Sequence, residues 1–270
     1  MSIKLENVVL ASPEQMEFII EGMRNPMNSW EKSDSEDCCV HSCRDDIHNC
    51  PKGGFTVGPN DRSLMQRLSN AGTEHRKYMR MMPVYVRITA PLYWWKEFDT
   101  YKVGTVANSC STMHKIAEKR FTLKDFSCEH LIGSPIPNFK KSCHVTEKTT
   151  DGNAVYSFGL NATPYGFMYW AIDVLNAYRA LYLETKDKTY WWQMIQLLPS
   201  SYNQTRNVMM NYEVLANIYR QRVAHKLDEW REFCSWIETL PYSELIIGLP
   251  TLLSNKEIED ALNSSYNEKR

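Results

Sequence analysis

Residues 88–114 read ITAPLYWWKEFDTYKVGTVANSCSTMH, and this stretch decides the fold. It completes the segment PVYVRITAP (83–91), in which apolar and polar side chains alternate as in a half-buried strand. Residues 92–98 are aromatic and predict a helix, and residues 102–113 are small and polar, which predicts a tightly packed segment. Such hydroxyl, amide and thiol groups suit an oxygen-rich ring or a phosphate, and a close-packed turn with satisfied side chains is the alternative.

The chain before this stretch predicts a strand followed by helices. Ser12-Pro13-Glu14-Gln15 combines a capping serine, a proline at the first helical position and a glutamine three residues after the cap. The predicted elements are, in order, a strand over 3–10, a helix ending near Arg24, a loop over 25–60, a helix from Asn60 or Asp61 to Gly72, and a short helix to Met81.

The chain after this stretch predicts mostly helix. Thr163-Pro164 is a helix start, and apolar residues spaced by three and four predict a long helix from Gln204 to Glu238. A weak strand is expected near residues 154–160. No repeat or linker divides the chain, so we expect a single domain over 1–270 of α+β class, with a central sheet and long helices. Residues 26–59 would be a Cys/His-containing loop or insertion and residues 255–270 a charged tail.

Charge and hydropathy exclude several classes of protein. The 31 basic and 32 acidic side chains give a formal charge of −1, which argues against a nucleic-acid binder. No run approaches the roughly 18 apolar residues of a membrane span, and the amino terminus lacks the pattern of a secretory signal. We therefore expect a soluble, cytoplasmic protein without a membrane partner, in which cysteines are thiols or metal ligands.

Two groups of cysteine and histidine residues raise the question of a metal site. They are Cys38, Cys39, His41, Cys43, His48 and Cys50 in the loop, and Cys128, His130, Cys143 and His144 further along. Neither group has the paired C-x-x-C spacing of a structural zinc site, so we favour incidental thiols and predict no metal. The G-x-S-x-G, P-loop and G-x-G-x-x-G motifs are also missing, which argues against hydrolases, nucleotide triphosphatases and Rossmann dehydrogenases.

The order of these segments resembles the flavin-dependent thymidylate synthase family. In that family a strand ending in Ala/Ser-Pro leads through an aromatic helix into the signature R-H-R-x-x-S-x-N-E-x-S-x-R-Y, and here residues 100–113, TYKVGTVANSCSTM, follow ITAP and LYWWKEF in the same register. The Gly-His segment of the family corresponds to residues 71–75. Its downstream residues correspond to Leu198-Pro199, Thr205, Asn211, Asn217 and Arg222. The resemblance covers roughly residues 60–240.

The signature itself is altered. Thr100, Tyr101 and Lys102 stand where the family has R-H-R, and only the last keeps a cation. The later replacements are Thr105 for the first Ser, Ala107-Asn108 for N-E, Cys110 for the second Ser and Thr112-Met113 for R-Y. A register shifted by one instead aligns Asn108 with the Asn and Ser111 with the second Ser. Because threonine and tyrosine cannot replace the charge of an arginine fork, any bound phosphates must be held by other cations.

The resemblance implies an activity and an assembly. It implies reductive methylation of dUMP to dTMP with FAD, NADPH and methylenetetrahydrofolate, in a homotetramer whose active sites lie between subunits. The implied residues are Arg222 as the catalytic group, with Arg220 as its competitor, Glu97, Asn108, Cys110 and Ser111 for substrate, and His75, Lys77, Lys102, Thr105 and Asn217 for cofactor. A flavoprotein acting on another pyrimidine nucleotide and a non-catalytic nucleotide-binding or structural relative are the alternatives.

Overall fold

The chain has an α+β fold, as the sequence predicts. The computed structural model describes residues 3–37, 55–137, 143–149, 152–158 and 163–248. The six cysteines and histidines between Cys38 and Cys50 lie outside the described residues, as does the tail 255–270. The interpretation of that loop therefore stays a prediction.

Four of the strands form the central sheet. The strands are β1 (Lys4–Leu10), β2 (Glu36–Asp37), β3 (Phe55–Thr56), β4 (Pro83–Pro91), β5 (Val106–Ser109), β6 (Cys143–Thr149), β7 (Gly152–Phe158) and β8 (Asn203–Asn211). The central sheet has the order β1-β4-β8-β5, and the pairs β2–β3 and β6–β7 are separate antiparallel ladders. In β4 the residues Val84, Val86 and Ile88 are buried and Tyr85 and Arg87 are exposed, which confirms the predicted half-buried strand.

Two of the helices begin at the capping signals predicted from the sequence. They are α1 (Pro13–Arg24), α2 (Pro59–Asn70), α3 (Lys77–Met81), α4 (Leu92–Phe98), α5 (Thr112–Lys115), α6 (Pro164–Thr185), α7 (Lys188–Leu197), α8 (Tyr212–Arg222), α9 (Asp228–Glu238) and α10 (Glu244–Ile247). Ser12 forms the predicted capping box with Gln15, and the side chain of Thr163 accepts from the backbone of Gly166.

The predicted long helix over 204–238 is wrong. Its first part is strand β8, in which Gln204, Val208 and Met210 are buried with the two-residue alternation of a strand. Asn211 then caps α8, because its side-chain oxygen accepts from the backbone of Val214. The chain breaks again between α8 and α9. The helical spacing of apolar residues begins only at residue 212, after strand β8, and a turn interrupts it between α8 and α9.

The predicted tight packing of residues 102–113 is also wrong. Strand β5 within this segment lies at an end of the central sheet, and all four of its side chains are exposed. Val103 is 91% exposed. Gly104 has a positive φ of 77°, and a Cβ there would come within 3.0 Å of Asn211 and Val214, so this one position does require glycine. The segment is therefore a surface in the isolated chain.

Contacts divide the chain into two compact units, which are described separately below. Unit 1 comprises residues 1–4, 88–100 and 108–206, and unit 2 comprises residues 5–87, 101–107 and 207–270. The core of unit 1 includes Phe121, Met168, Leu175 and Met194, around which α6 packs on α7. No helix in the described part of the chain is long and apolar enough to cross a membrane.

Unit 2 contains a buried ion pair that fastens its loop to α2. The Nε of Arg24 donates to Oδ1 of Asp61 at 2.6 Å, and these two side chains are only 5% and 0% exposed. The Oδ2 of Asp61 accepts from Ser33, from Ser35 and from the backbone of Asp34. No buried side-chain nitrogen or oxygen of these residues is left without a hydrogen bond, as burial of charge requires. Residues 33–35, predicted to be irregular loop, are thus firmly held.

Candidate functional site

The predicted site residues divide between the two units. Glu97, Asn108, Cys110 and Ser111, the expected substrate residues, belong to unit 1. The expected catalytic and cofactor residues belong to unit 2, and they are Arg222, His75, Lys77, Lys102, Thr105 and Asn217. Each group has its own supporting contacts.

In unit 1 the backbone of Cys110 is fixed to strand β8. The amide of Cys110 donates to the carbonyl of Thr205 at 2.9 Å, and its carbonyl accepts from Nε2 of Gln204 at 3.1 Å. Ser111 caps α5, since its Oγ accepts from the amide of His114 at 3.0 Å. The side chains of Asn108, Cys110 and Ser111 are exposed. This segment therefore combines an ordered backbone with outward side chains, which suits ligand contact.

Arg206 is a residue of unit 1 that the sequence prediction missed. Its guanidinium lies 4.2 Å from the ring centroid of Trp95 and donates to Asp99 at 2.6 Å and to Gln204 at 2.9 Å. Gln204 in turn holds Cys110, so one amide side chain links the cation to the exposed segment. Arg206 and Gln204 are two residues apart and so share a face of strand β8. The sequence prediction missed this relation because it placed residues 204–211 in a helix.

Glu97 lies on α4 beside a buried aromatic cluster. Trp94 and Phe98 are stacked with ring centroids 5.0 Å apart, and Trp95 meets Phe98 edge to face at 5.3 Å. The indole of Trp95 donates to the carbonyl of Gln204 at 2.9 Å. Glu97 itself is half-buried. The aromatic residues of α4 thus form core and hold the helix against β8, while Glu97 is left at the boundary with solvent.

In unit 2 the structure brings Arg222 and Asn217 together through two other side chains. Nε of Arg222 donates to the hydroxyl of Tyr101 at 2.8 Å, Tyr101 donates to Oε1 of Gln221 at 2.9 Å, and Gln221 donates to Oδ1 of Asn217 at 3.0 Å. The Arg222 guanidinium also lies over the rings of Trp230 and Tyr101, at 4.7 and 5.6 Å. Tyr101, which replaces a residue of the family signature, therefore orients the predicted catalytic arginine.

His75 and Lys77 flank the start of α3. The amide of His75 donates to the carbonyl of Gly72 at 3.2 Å, and its ring lies 3.6 Å from the carboxylate of Glu74. Both His75 and Lys77 are exposed. Helix α3 contacts α8, and Arg80 at its far end donates through two nitrogens to the carboxylate of Glu213. This ion pair brings the His75 segment beside the helix that carries Asn217.

Two buried donors of unit 2 bear on whether a flavin nucleotide fits. Oγ1 of Thr105 and Nε of Arg76 are buried and have no hydrogen-bond partner among the described residues. A buried donor without a partner costs roughly 1–3 kcal/mol, and a ligand oxygen would satisfy it. FAD carries many acceptors, including a pyrophosphate, so these donors fit it. Lys102 lies three residues before Thr105 in the sequence and is exposed, so it offers a cation.

Cys234 and Cys110 differ in burial, which decides whether either thiol could act as a nucleophile. Burial raises the pKa of Cys234 to about 11, and the nearby Glu238 carboxylate adds to the shift. Cys234 is therefore a neutral core thiol at physiological pH. Cys110 is exposed, but no histidine or other base among the described residues forms a hydrogen bond with its sulfur. The arrangement thus favours binding and polarisation by fixed donors over covalent catalysis by a thiolate.

Comparison with known proteins shows the fold. No family model and no curated protein sequence matches the chain. Two solved structures of the flavin-dependent thymidylate synthase ThyX from Helicobacter pylori, with FAD and dUMP, each match 92% of this chain and 98% of theirs at 15% identity and a TM-score of 0.54. The UMP/dUMP methylase PolB from Streptomyces cacaoi, bound with 5-Br UMP, matches 88% of both chains at 13% identity and a TM-score of 0.48. The resemblance found in the sequence is therefore confirmed in three dimensions: this chain has the fold of flavin-dependent thymidylate synthases.

Proposed function

We propose that this protein is a flavin-dependent enzyme that methylates the uracil ring of dUMP to give dTMP. The observation that carries the proposal is the network of Arg222, Tyr101, Gln221 and Asn217, in a fold shared with a protein crystallised with FAD and dUMP. Methylenetetrahydrofolate supplies the carbon and NADPH the reducing equivalents, so that a methyl group replaces the proton on C5 of the ring. Bound FAD supplies the redox chemistry.

The role of the protein's own residues is to bind and polarise. Arg222 donates toward the oxygen of the uracil ring on which negative charge develops, because a fixed guanidinium needs no reorganisation when that charge appears. Tyr101 and Trp230 hold its orientation. Asn217, His75, Lys77, Lys102 and Thr105 contact the flavin nucleotide. These roles rest on the fold resemblance together with the contacts described above.

Glu97, Asn108, Cys110 and Ser111 contact the pyrimidine nucleotide in this proposal. A carboxylate accepts from the N3–H of uracil, which suits Glu97, and it offers no donor to a ring carbonyl. The hydroxyl, thiol and amide groups of the exposed segment supply donors for the sugar and phosphate. The resemblance aligns Glu97 with a glutamine of the family, and this change of hydrogen-bonding group makes a different pyrimidine nucleotide the second candidate substrate. A non-catalytic relative is the third hypothesis.

Flavin binding is the experiment that separates these readings. Purified protein is titrated with FAD and its absorbance followed, and we expect a bound flavin spectrum. Release of tritium from C5-labelled dUMP, compared with labelled UMP, then tests the substrate. Protein that is colourless after incubation with saturating FAD and removal of the unbound flavin contradicts both hypotheses of a flavoenzyme. Only the hypothesis of a non-catalytic relative then remains.

We further propose that the chain assembles into a homotetramer, and helix α6 supports this. Its outward residues Phe167, Trp170, Val174, Ala177 and Leu181 are spaced by three and four, and Phe167 and Trp170 are 60% and 53% exposed. A two-fold axis near Val174 sets Phe167 opposite Leu181 and Trp170 beside the small Ala177, so the stripe is complementary to itself. An apolar stripe of this length is typical of a subunit contact.

The assembly is tested by light scattering after size exclusion. We expect the unmodified chain to elute as a tetramer and Trp170→Glu to elute as smaller species. Tyr169→Glu, an equally exposed neighbour off the stripe, is the matched control and should leave the mass unchanged. A wild-type monomer would refute the assembly.

A further inference from the structure

Arg76 and Arg220 are two cations of unit 2 whose positive charges act on each other. We propose that these two arginines bind a phosphate group of a ligand. The proposal rests on the proposed function and deepens it, since it names cations for the phosphates that the altered signature no longer holds. Arg76 is not among the site residues predicted from the sequence, and Arg220 appears there only as the competitor of Arg222.

The helices bring the two residues together. Arg80 on α3 is bonded to Glu213 on α8, and the amide of Tyr212 donates to the carbonyl of Met82 at 3.2 Å. Arg76 directly precedes α3, four residues before Arg80, and Arg220 lies about two turns after Glu213 on α8. Both arginines therefore lie beside the contact between α3 and α8. The other residues in this part of α3 and α8 include His75 and Asn217, both expected to contact the cofactor.

One of the two carboxylates nearby is already hydrogen-bonded, and the other is exposed. Glu213 accepts two hydrogen bonds from Arg80. Glu74 lies against Gly72 and the ring of His75. Nε of Arg76 is buried without a hydrogen-bond partner, and no hydrogen bond or ion pair of Arg220 to another described residue is present. The local balance is therefore an excess of guanidinium donors over carboxylate acceptors.

The electrostatics agree with this geometry. Burial lowers the pKa of Arg76, and the positive charge of Arg220 lowers it further, while the carboxylates of Glu213 and Glu74 act in the opposite direction. Two like charges held close together without a shared anion repel each other. A ligand anion bound between them attracts both guanidinium groups and offsets their mutual repulsion.

Phosphate is the ligand chemistry that this pair fits. A guanidinium presents its donors in a planar fork that matches two phosphate oxygens, and two forks satisfy a doubly charged group. Exposed Lys77 lies next to Arg76 in sequence and adds a third cation. The group comes either from the pyrophosphate of FAD or from the monophosphate of the nucleotide substrate.

The probe for this site is inorganic pyrophosphate, titrated calorimetrically into the full-length protein. We expect Arg76→Gln and Arg220→Gln each to weaken binding at least about tenfold, which is the effect of losing one charge-assisted bidentate contact. Arg220→Lys should recover part of the affinity. Arg67→Gln removes an exposed arginine elsewhere in unit 2 and is the matched control. Equal binding by all variants, or none by the wild type, overturns the proposal.

A second readout guards against misfolding. Arg220 is exposed, and its positive charge repels that of Arg76. Arg220→Gln should therefore raise the melting temperature of the ligand-free protein by about 1 °C while it weakens pyrophosphate binding. A variant that is folded and more stable yet binds less well has lost a ligand contact. A lowered melting temperature would show that Arg220 is structural and would overturn the site.

The source of the phosphate is found with paired ligands. Weaker binding of FAD but not riboflavin in Arg220→Gln identifies the flavin pyrophosphate, and weaker binding of dUMP but not deoxyuridine identifies the substrate. Wild-type protein that binds pyrophosphate through both arginines but never binds FAD contradicts the proposed function and supports the site. FAD bound equally by every variant, without pyrophosphate binding, contradicts the site and leaves the proposed function standing.

Discussion

Two arginine clusters of unit 2 show how the same side chain serves structure in one place and binding in another. Arg24 is buried, and its partner Asp61 accepts from both serines of the adjoining loop. Arg76 is also partly buried, but the positive charge of Arg220 in α8 acts on it and lowers its pKa. A satisfied network stabilises the chain by itself, whereas an unsatisfied one is completed by a ligand. The difference lies in the partners and not in the residue type.

The largest effect expected from this comparison is on stability, at the satisfied cluster. Asp61→Asn removes the charge that faces Arg24 and should destabilise the protein by about 3–5 kcal/mol, because it leaves a buried guanidinium uncompensated. Urea denaturation measures the change, with Asp228→Asn as the control, since Asp228 forms a more exposed pair with Arg231. A loss below about 1 kcal/mol, as for a surface pair, would show that the network is not the anchor described here.

Burial raises the pKa of Asp61, but hydrogen bonds from Ser35, Ser33 and Arg24 outweigh this effect and lower the pKa overall. A depressed carboxyl pKa gives stability above the ordinary pKa of an aspartate, and this stability is lost as the pH falls through the folded pKa. The free energy of unfolding of the wild type should therefore fall between pH 7 and pH 4. The fall should be smaller in Asp61→Asn, which has no carboxyl group to titrate at this position. The same denaturation curves, taken at pH 7 and at pH 4, check this sign.

The second effect is on activity, at Arg222, whose Nε donates to the hydroxyl of Tyr101. Arg222→Ala should lower kcat by about 10²–10³-fold if its guanidinium stabilises charge on the uracil ring, as loss of one such donor does elsewhere. Tyr101→Phe keeps the ring and removes the hydroxyl, so it should lower kcat less, because Arg222 still lies over Trp230. Tritium release from dUMP measures both.

Arg220→Gln distinguishes the two neighbouring arginines in that assay. It should raise KM for the ligand whose phosphate it binds and leave kcat nearly unchanged, because Arg220 does not contact the reacting ring in this proposal. A fully active Arg222→Ala together with an inactive Arg220→Gln would reverse the assignment of the two roles.

Sequence alone predicted the elements whose signals are local. The capping box at Ser12, the alternation over residues 83–91 and the aromatic helix after Pro91 depend on neighbouring residues only, and all three were confirmed. Strand β8 was missed because its buried alternation runs directly into the periodic apolar residues of α8. The break between α8 and α9 contains neither glycine nor proline, so nothing local marked it.

The candidate site shows the same limit. The family resemblance identified Asn217 and Arg222 as candidates, but Gln221, which connects them to Tyr101, is separated from that tyrosine by 120 residues. Arg206 holds the Cys110 segment through Gln204, a contact across 94 residues. Such links depend on tertiary structure, and no spacing rule anticipates them. The roles named from the resemblance stay predictions until the variants are measured.

The smallest effect expected is a loss of stability at alkaline pH. It comes from Cys234, a neutral residue of unit 2 that belongs to neither the Arg24 cluster nor the Arg76 cluster. Cys234 has a pKa raised to about 11, with burial as the main cause, whereas an exposed thiol titrates near 9. A raised folded pKa means that the unfolded state loses its proton first, so stability is full below pH 9 and falls as the pH rises toward 11. Melting temperatures at pH 8 and pH 10.5 should show this fall, and Cys234→Ala should show less of it. An equal fall in both proteins would mean that other groups, such as Tyr219 with its pKa of about 12, control the alkaline transition.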